Sequence, residues 1–178
     1  MGLPVIEDGG DAVLGLVSGI LIHPDTGKVE GFFVHSVLHS GEPLFVSFLD
    51  ILRWGTRIYV RSADVLAPSH DRIRLQPLLE DSRTVLGQHI FTESGMSLGR
   101  CKDVQFNTES MHIEWIFPRK FFRWGVALSV AEIIEVQLKG IIVKNRLQKE
   151  SLPKKISPTT ALLSDLSDAP LANRKSDT

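Results

Sequence analysis

Only one cysteine, Cys101, stands among the 178 residues. No disulfide can form within such a chain, and no zinc site can be built on several thiolates. An excess of either charge is also missing. The formal net charge is −1 and the sequence pI is near 6.6. That balance excludes strong whole-chain attraction to nucleic acid or an anionic membrane and leaves local patches as the only electrostatic route to such partners. No apolar run approaches the ~20 residues that a membrane-spanning helix needs. The first residues, MGLPVIEDGGDAV, lack the basic start and apolar stretch of a secretory signal. Ile6 stands where a myristoylation signal after Met1-Gly2 wants Ser or Thr. The expectation is a cytoplasmic protein with no transmembrane segment. Two catalytic signatures are missing as well: there is no G-x-S-x-G nucleophile elbow and no G-x-x-x-x-G-K-[ST] phosphate loop.

What is present is a hairpin. In Gly15 to Val34, GLVSGILIHPDTGKVEGFFV, an aliphatic run from Leu16 to Ile22 is too short for a typical helix and reads as a strand. Pro24-Asp25-Thr26-Gly27 is turn chemistry: Pro presets φ, Asp bonds neighbouring backbone, and Gly takes the left-handed conformation. Lys28 to Val34 returns as the partner strand.

The hairpin occurs twice. With Gly15 placed over Gly99, an offset of 84, Leu14 falls on Leu98, Ile6 on Ile90, Ile20 on Val104, Val29 on Ile113 and Phe32 on Ile116. After a slip of two, Val46, Phe48 and Ile51 meet Leu128, Val130 and Ile133, and Asp50 meets Glu132. Each copy reads as a short strand, a polar Gly-containing turn, a Leu-Gly pair opening the long strand, the return strand, a loop, and a strand with an acidic step. The loops are His35 to Pro43 and Pro118 to Gly125. The acidic-step strands are Phe45 to Ile51 and Ala127 to Ile134. Short strands with regular turn signals predict an all-β barrel or sandwich. A barrel of about seventy residues has a small core, so the two copies are expected to pack on one another.

Between them, Asp71 to Leu75 reads as a strand extension. Gln76 to Leu86 reads as a short linking helix that tolerates Pro77 in its first turn. The organisation is copy one over 1–75, copy two over 76–145 and a flexible tail over 146–178. The tail contains no aromatic residue and is dominated by Ser, Pro, Lys, Asp and Leu, the composition of a disordered segment. Within it Thr159 to Leu166 places Leu162, Leu163 and Leu166 at helical spacing. That segment reads either as a transient helix or as a motif that folds on a partner.

The series Leu14-Gly15, His23-Pro24-Asp25-Thr26-Gly27-Lys28-Val29 and Phe48-Leu49-Asp50-Ile51 resembles the PRC-barrel family. That fold is shared by the cytoplasmic domain of the photosynthetic reaction-centre H subunit and the C-terminal domain of a ribosome-maturation factor. The resemblance covers about residues 3 to 145 as two tandem copies. Copy two departs from it: Asn107-Thr108-Glu109-Ser110 replaces the turn, and Met111 stands where Gly27 stood. The resemblance implies a fold of two small PRC-like β-barrels. It also implies a small adaptor that docks on another macromolecule. The chain is expected to be non-enzymatic, with no cofactor, and to dock on a protein partner or alternatively on RNA or the ribosome. The pattern is structural, so it speaks to fold more than to function.

Candidate chemistry is sparse. Asp8, Asp11, Asp25 and Asp50 read as turn and strand-end residues. Cys101, beside Arg100 and Lys102, reads as a core thiol rather than a reactive one. His35 and His39 have the spacing of two ligands on a helix face, but they fall at a strand end and loop where that spacing loses its meaning. His23 and His112 lie near the hairpin turns. No metal site is expected. The candidate partner-binding residues are Arg119, Lys120, Phe121, Phe122, Arg123 and Trp124, following Phe117-Pro118 in an expected loop. Arg beside Phe or Trp suits a protein hot spot, stacking on single-stranded nucleic acid or a membrane surface. The plainer alternative is that Phe117 and one of Phe121 or Phe122 plug the end of a barrel, leaving Arg119 and Lys120 solvated. Arg53-Trp54-Gly55 echoes Arg123-Trp124-Gly125 at a different point of the repeat and reads as coincidence.

Overall fold

The alternation of apolar and polar residues resolves into two curled antiparallel-rich sheets in a computed structural model that describes residues 2–37 and 41–145. The first half contains β1 (Pro4–Glu7), β2 (Val13–Ile22), β3 (Val29–Ser36), β4 (Leu44–Ser47), β5 (Ile51–Trp54), β6 (Ile58–Val60) and β7 (Ala67–Pro68). After the one-turn helix α1 (Gln76–Leu79) come β8 (His89–Thr92), β9 (Ser97–Phe106), β10 (Ile113–Lys120), β11 (Arg123–Trp124), β12 (Leu128–Ser129), β13 (Ile133–Gln137) and β14 (Gly140–Val143).

The two sheets follow one plan. The first runs β5-β6-β1-β2-β3-β4-β7, and the second runs β13-β14-β8-β9-β10 with β11 and β12 both on the outer edge of β10. In each, the opening strand pairs in parallel with the closing one: Val5 opposite Ile58, and Ile90 opposite Ile141. The slip of two is preserved in the ladders, since Phe32 faces Val46 as Ile116 faces Leu128.

Connectivity forces the curl. β4 and β5 lie five strand steps apart, about 24 Å in a flat sheet with strands ~4.8 Å apart. Only Phe48–Asp50 separates them in sequence, and four Cα steps reach at most ~15 Å. The sheet must bend back towards itself, and β12 and β13, joined through Val130–Glu132, impose the same on the second. Among the described residues no ladder joins β4 to β5, so the first sheet is a curled, open half-barrel.

The expected acidic-step strands are each broken in the middle. The Ser47 hydroxyl accepts from the Leu49 N–H and the Ser129 hydroxyl from the Ala131 N–H, which starts a 3-10 turn at Phe48–Asp50 and at Val130–Glu132. A short hydroxyl side chain competes for backbone donors in this way and turns the chain. Two further expectations are corrected between the halves. Asp71 to Leu75 is a pair of 3-10 turns, Ser69–Asp71 and Ile73–Leu75, rather than a strand. The linking helix ends at Leu79 instead of reaching Leu86. The Asp81 carboxylate accepts the Arg83 N–H at 2.8 Å, and that local bond holds the chain out of a helix.

The Leu-Gly pair has a backbone cause. A Cβ on Gly15 would lie 2.5 Å from the carbonyl oxygen of His35, and one on Gly99 would lie 2.5 Å from that of Arg119. The long strand crosses the end of its partner too closely for any side chain.

The two halves share one hydrophobic cluster in which Val5, Val34, Val46 and Ile58 join Ile90, Cys101, Ile116 and Ile141. Residues 1–145 form one compact unit. Phe106 of the second half packs edge-on to Trp54 at 5.8 Å and tilted against Phe32 at 6.0 Å, both from the first. The hairpin ends meet reciprocally. Val29 N–H donates to the Met111 carbonyl at 2.6 Å, and Ile113 N–H donates to the Gly27 carbonyl at 2.9 Å. Lys28 bridges His112, which is its counterpart at the offset of 84. Each residue thus bonds the equivalent of its own neighbour, the signature of a two-fold relation between like surfaces. No helix among the described residues is long and apolar enough to cross a membrane. The tail 146–178, with its leucine motif, lies outside the described residues, as does His39.

Candidate interaction surface

Arg119 to Trp124 is not a loop. Arg119 and Lys120 end β10, Arg123 and Trp124 form β11, and the ladder pairs Arg119 with Trp124 and Lys120 with Arg123. Phe121 and Phe122 are the two turn residues of a β-hairpin. Phe121 adopts φ 55°, a left-handed conformation that is rare for a bulky residue. The Gly125 N–H then donates to the Pro118 carbonyl at 2.8 Å and returns the chain to the sheet.

The hairpin carries its rings outward. Phe121 is 88 % exposed, Phe122 89 % and Trp124 58 %. The barrel-plug alternative therefore fails for Phe121 and Phe122: a two-residue turn at the strand end carries them away from the core, and the cluster is filled by Ile116, Leu128 and their neighbours. Phe117 is half-buried and Pro118 buried, so the hairpin is rooted in the body of the sheet. The Arg119 guanidinium lies 5.5 Å from the centre of the Trp124 ring, within cation–π range. The Lys120 ammonium donates to the Ser97 carbonyl at 3.3 Å. All six candidate residues thus fall on one protruding element. Trp54, the other member of the echoed Arg-Trp-Gly triplet, sits instead between the halves against Phe32 and Phe106.

The remaining candidates stay apart. Cys101 is buried, its thiol is pushed up to about 12 by burial, and its sulfur makes hydrogen bonds with the backbone of Phe117 and Asp103. A thiol held protonated in this way is a poor nucleophile. The His23 Nδ1 accepts the Asp25 N–H at 3.2 Å and so belongs to the turn. His35 is exposed on β3 opposite Leu16, and the His112 ring contacts the Ser110 carbonyl.

One cluster gives no local sign in the sequence. Arg83 clamps two carboxylates. Its terminal nitrogens donate to both oxygens of Asp25 at 2.6 and 2.9 Å, and its Nε and second terminal nitrogen engage Asp81 at 3.1 and 2.7 Å. A longer bond of 3.4 Å reaches the Val136 carbonyl on β13. Hydrogen bonds from the guanidinium hold the Asp25 and Asp81 carboxyls below the usual carboxylate range, and the two carboxylates raise the Arg83 guanidinium in turn. Asp25 is thus a turn residue and also a tie between the first hairpin, the linker and the second sheet. The clamp borders a groove of about 480 Å³ that also takes in His23, Lys28 and Glu30. Its acidic and basic groups balance: Lys28 pairs with Glu30 at 3.0 Å, Arg83 pairs with the two aspartates, and Arg74 on the lining makes up the third cation.

No known family's sequence model matches this chain, and no curated protein matches it in sequence.

Proposed function

We propose that the chain is a non-enzymatic docking module of the PRC-barrel type, two tandem small barrels whose contact element is the hairpin Arg119 to Trp124. The observation that carries this reading is the exposure of two adjacent phenylalanines at the tip of a hairpin whose base is anchored in the core. Large rings left in water at a rigid position are the usual mark of a surface that is covered when the protein works. The shared strand order of the two sheets supports the tandem-barrel part. A cytoplasmic location belongs to the same proposal. A protein partner suits the Arg and Trp content. RNA or a ribosomal particle is the second reading, favoured by three cations interleaved with rings.

The test is affinity purification of the full chain from its source cells, compared with Phe122→Ala/Trp124→Ala. The expected result is an unchanged circular-dichroism spectrum with loss of the captured material. An identical capture profile for the two proteins would remove the hairpin from the docking role. Capture of ribosomal particles that weakens steeply with salt would select the second reading.

A further inference from the structure

We propose that the body this hairpin docks on is a lipid bilayer carrying anionic headgroups, with Phe121 and Phe122 entering the acyl boundary. The proposal rests on the docking reading and names the surface.

Shape is the first argument. Two consecutive turn residues at a hairpin tip present one convex point rather than a groove or a platform. A stacking platform for single-stranded nucleic acid spaces its rings along a face so that successive bases can be met. A protein hot spot seats its ring in a matching pocket. A bilayer needs neither, because the lipid closes around whatever enters.

The layering of chemistry along the hairpin is the second. At the tip are two phenyl rings, 88 % and 89 % exposed. One step back is the pair Lys120 and Arg123, and one step further the half-exposed Trp124 with the Arg119 guanidinium over its indole. An apolar end, with cations and indole behind it, matches the order from acyl chains to headgroups. Long cationic side chains place their charge at the phosphate level while their stems stay in the apolar layer.

Charge asymmetry is the third. Residues 117–127 contain three cations and no carboxylate, while the whole chain carries −1, so the remainder is net acidic. The acidic residue across the ladder is Asp103, opposite Phe117. Lys120, with Arg123 paired to it, lies three residues beyond Phe117, roughly 10 Å at ~3.3 Å per residue, which exceeds the ~8 Å screening length at physiological salt. An anionic surface attracts the tip and repels the body, and so orients the approach.

Strain is the fourth. Phe121 holds a backbone conformation that glycine adopts without cost, and its exposed ring returns no packing for it. The fold itself therefore gains nothing from a phenyl ring at this position.

The experiment uses the full chain and vesicles of phosphatidylcholine with about one-third phosphatidylserine, read by co-sedimentation and tryptophan fluorescence. The chain is expected to sediment with these vesicles, more weakly with pure phosphatidylcholine, and less as salt rises. Phe121→Gly/Phe122→Ser should cut the partition coefficient about a hundredfold, roughly tenfold per ring removed. Thermal stability should not fall, because glycine suits the left-handed position. Lys120→Gln/Arg123→Gln should cut it about twenty-five-fold, roughly fivefold per cation. Absence of vesicle binding overturns the proposal. So does binding that survives the loss of both rings, and so does single-stranded RNA held more tightly than vesicles by the same residues. Hairpin-dependent capture of a protein without vesicle binding overturns the lipid surface and leaves the docking reading standing. Loss of neither capture nor vesicle binding in the variants removes both.

Discussion

The two halves share a strand order, and two of their corners repay comparison. At the first corner, β2 and β3 are joined through Pro24-Asp25-Thr26-Gly27, with Gly27 at φ 70°. The corresponding turn between β9 and β10 uses the Asn107 side chain, which accepts the Glu109 and Ser110 N–H groups, and ends on Met111 at φ 56°. The same left-handed step is thus reached by two chemistries. At Gly27 a Cβ would lie 2.9 Å from Ile113, whereas the Met111 side chain is buried in the shared core. The second corner is the end of the return strand. In the second half it grows into the exposed hairpin, while in the first half residues 38–40 at that point are outside the description. Geometry that every copy needs is conserved between the halves. The exposed rings of Phe121 and Phe122 sit where the sheet makes no demand on the side chain.

The sharpest way to break the comparison is at its common backbone crossing. Gly15→Val and Gly99→Val should each destabilise by about 3 kcal/mol or more, because a side chain must displace a backbone carbonyl. Chemical denaturation would measure it. Tolerance of valine at either site would mean that the Leu-Gly pair is not a packing requirement. Next in size, Phe106→Ala removes the ring that packs on Phe32 and Trp54. It should cost about 2 to 3 kcal/mol in thermal melts and unfold both halves in one transition. Two separated transitions would show that the halves are independent.

Exchange of the turn residues sharpens the asymmetry. Met111→Gly relieves roughly 1 to 2 kcal/mol of left-handed strain but removes a buried side chain worth roughly 2 to 4 kcal/mol, so a net loss of about 1 to 2 kcal/mol is expected. Gly27→Ala should lose a similar amount by strain and by contact with Ile113. A stabilising Met111→Gly would reverse the assignment of that side chain to the core.

Smaller still is the clamp that joins the first turn to the second sheet. The Asp25 and Asp81 carboxyls are lowered in the folded protein, so the unfolded chain binds protons first as pH falls. Their contribution is present in full above the ordinary carboxylate value near 3.9 and is lost as pH drops below it. Arg83→Met should therefore show a flatter loss of stability in acid than the parent protein in pH-dependent melts. An unchanged acid profile would mean that the clamp does not couple the halves. At the end of the range, Phe121→Gly should change stability by no more than about 0 to 1 kcal/mol, and upward, since it relieves strain without removing core. A clear fall in melting temperature would show that the exposed ring serves folding after all.

Much of this was legible along the chain. The short aliphatic run of Leu16 to Ile22, the Pro-Asp-Thr-Gly turn and the offset of 84 led to the paired sheets, because a run's length and a turn's φ values are local properties. The breaks at Phe48 and Val130 were missed, since a single hydroxyl accepting a neighbouring N–H outweighed a strand-like pattern. The helix past Leu79 was overextended for the same kind of reason, the bond from Arg83 N–H to Asp81. The six residues of the candidate surface were found by their clustering of rings and cations, but their form as a hairpin was not. Arg83 was invisible as a partner of Asp25, because 58 positions separate them and no local pattern marks either residue.

Apolar spacing and turn chemistry by themselves determined that this protein makes strands, that it makes them twice in the same order, and that its one thiol lies inside. Only the tertiary structure decided which surfaces meet. The reciprocal bonds at Lys28 and His112 and the ring contacts of Phe106 depend on how far each sheet curls. Curl is set by the short span between strands at opposite edges, a distance that exists only once the sheet is assembled.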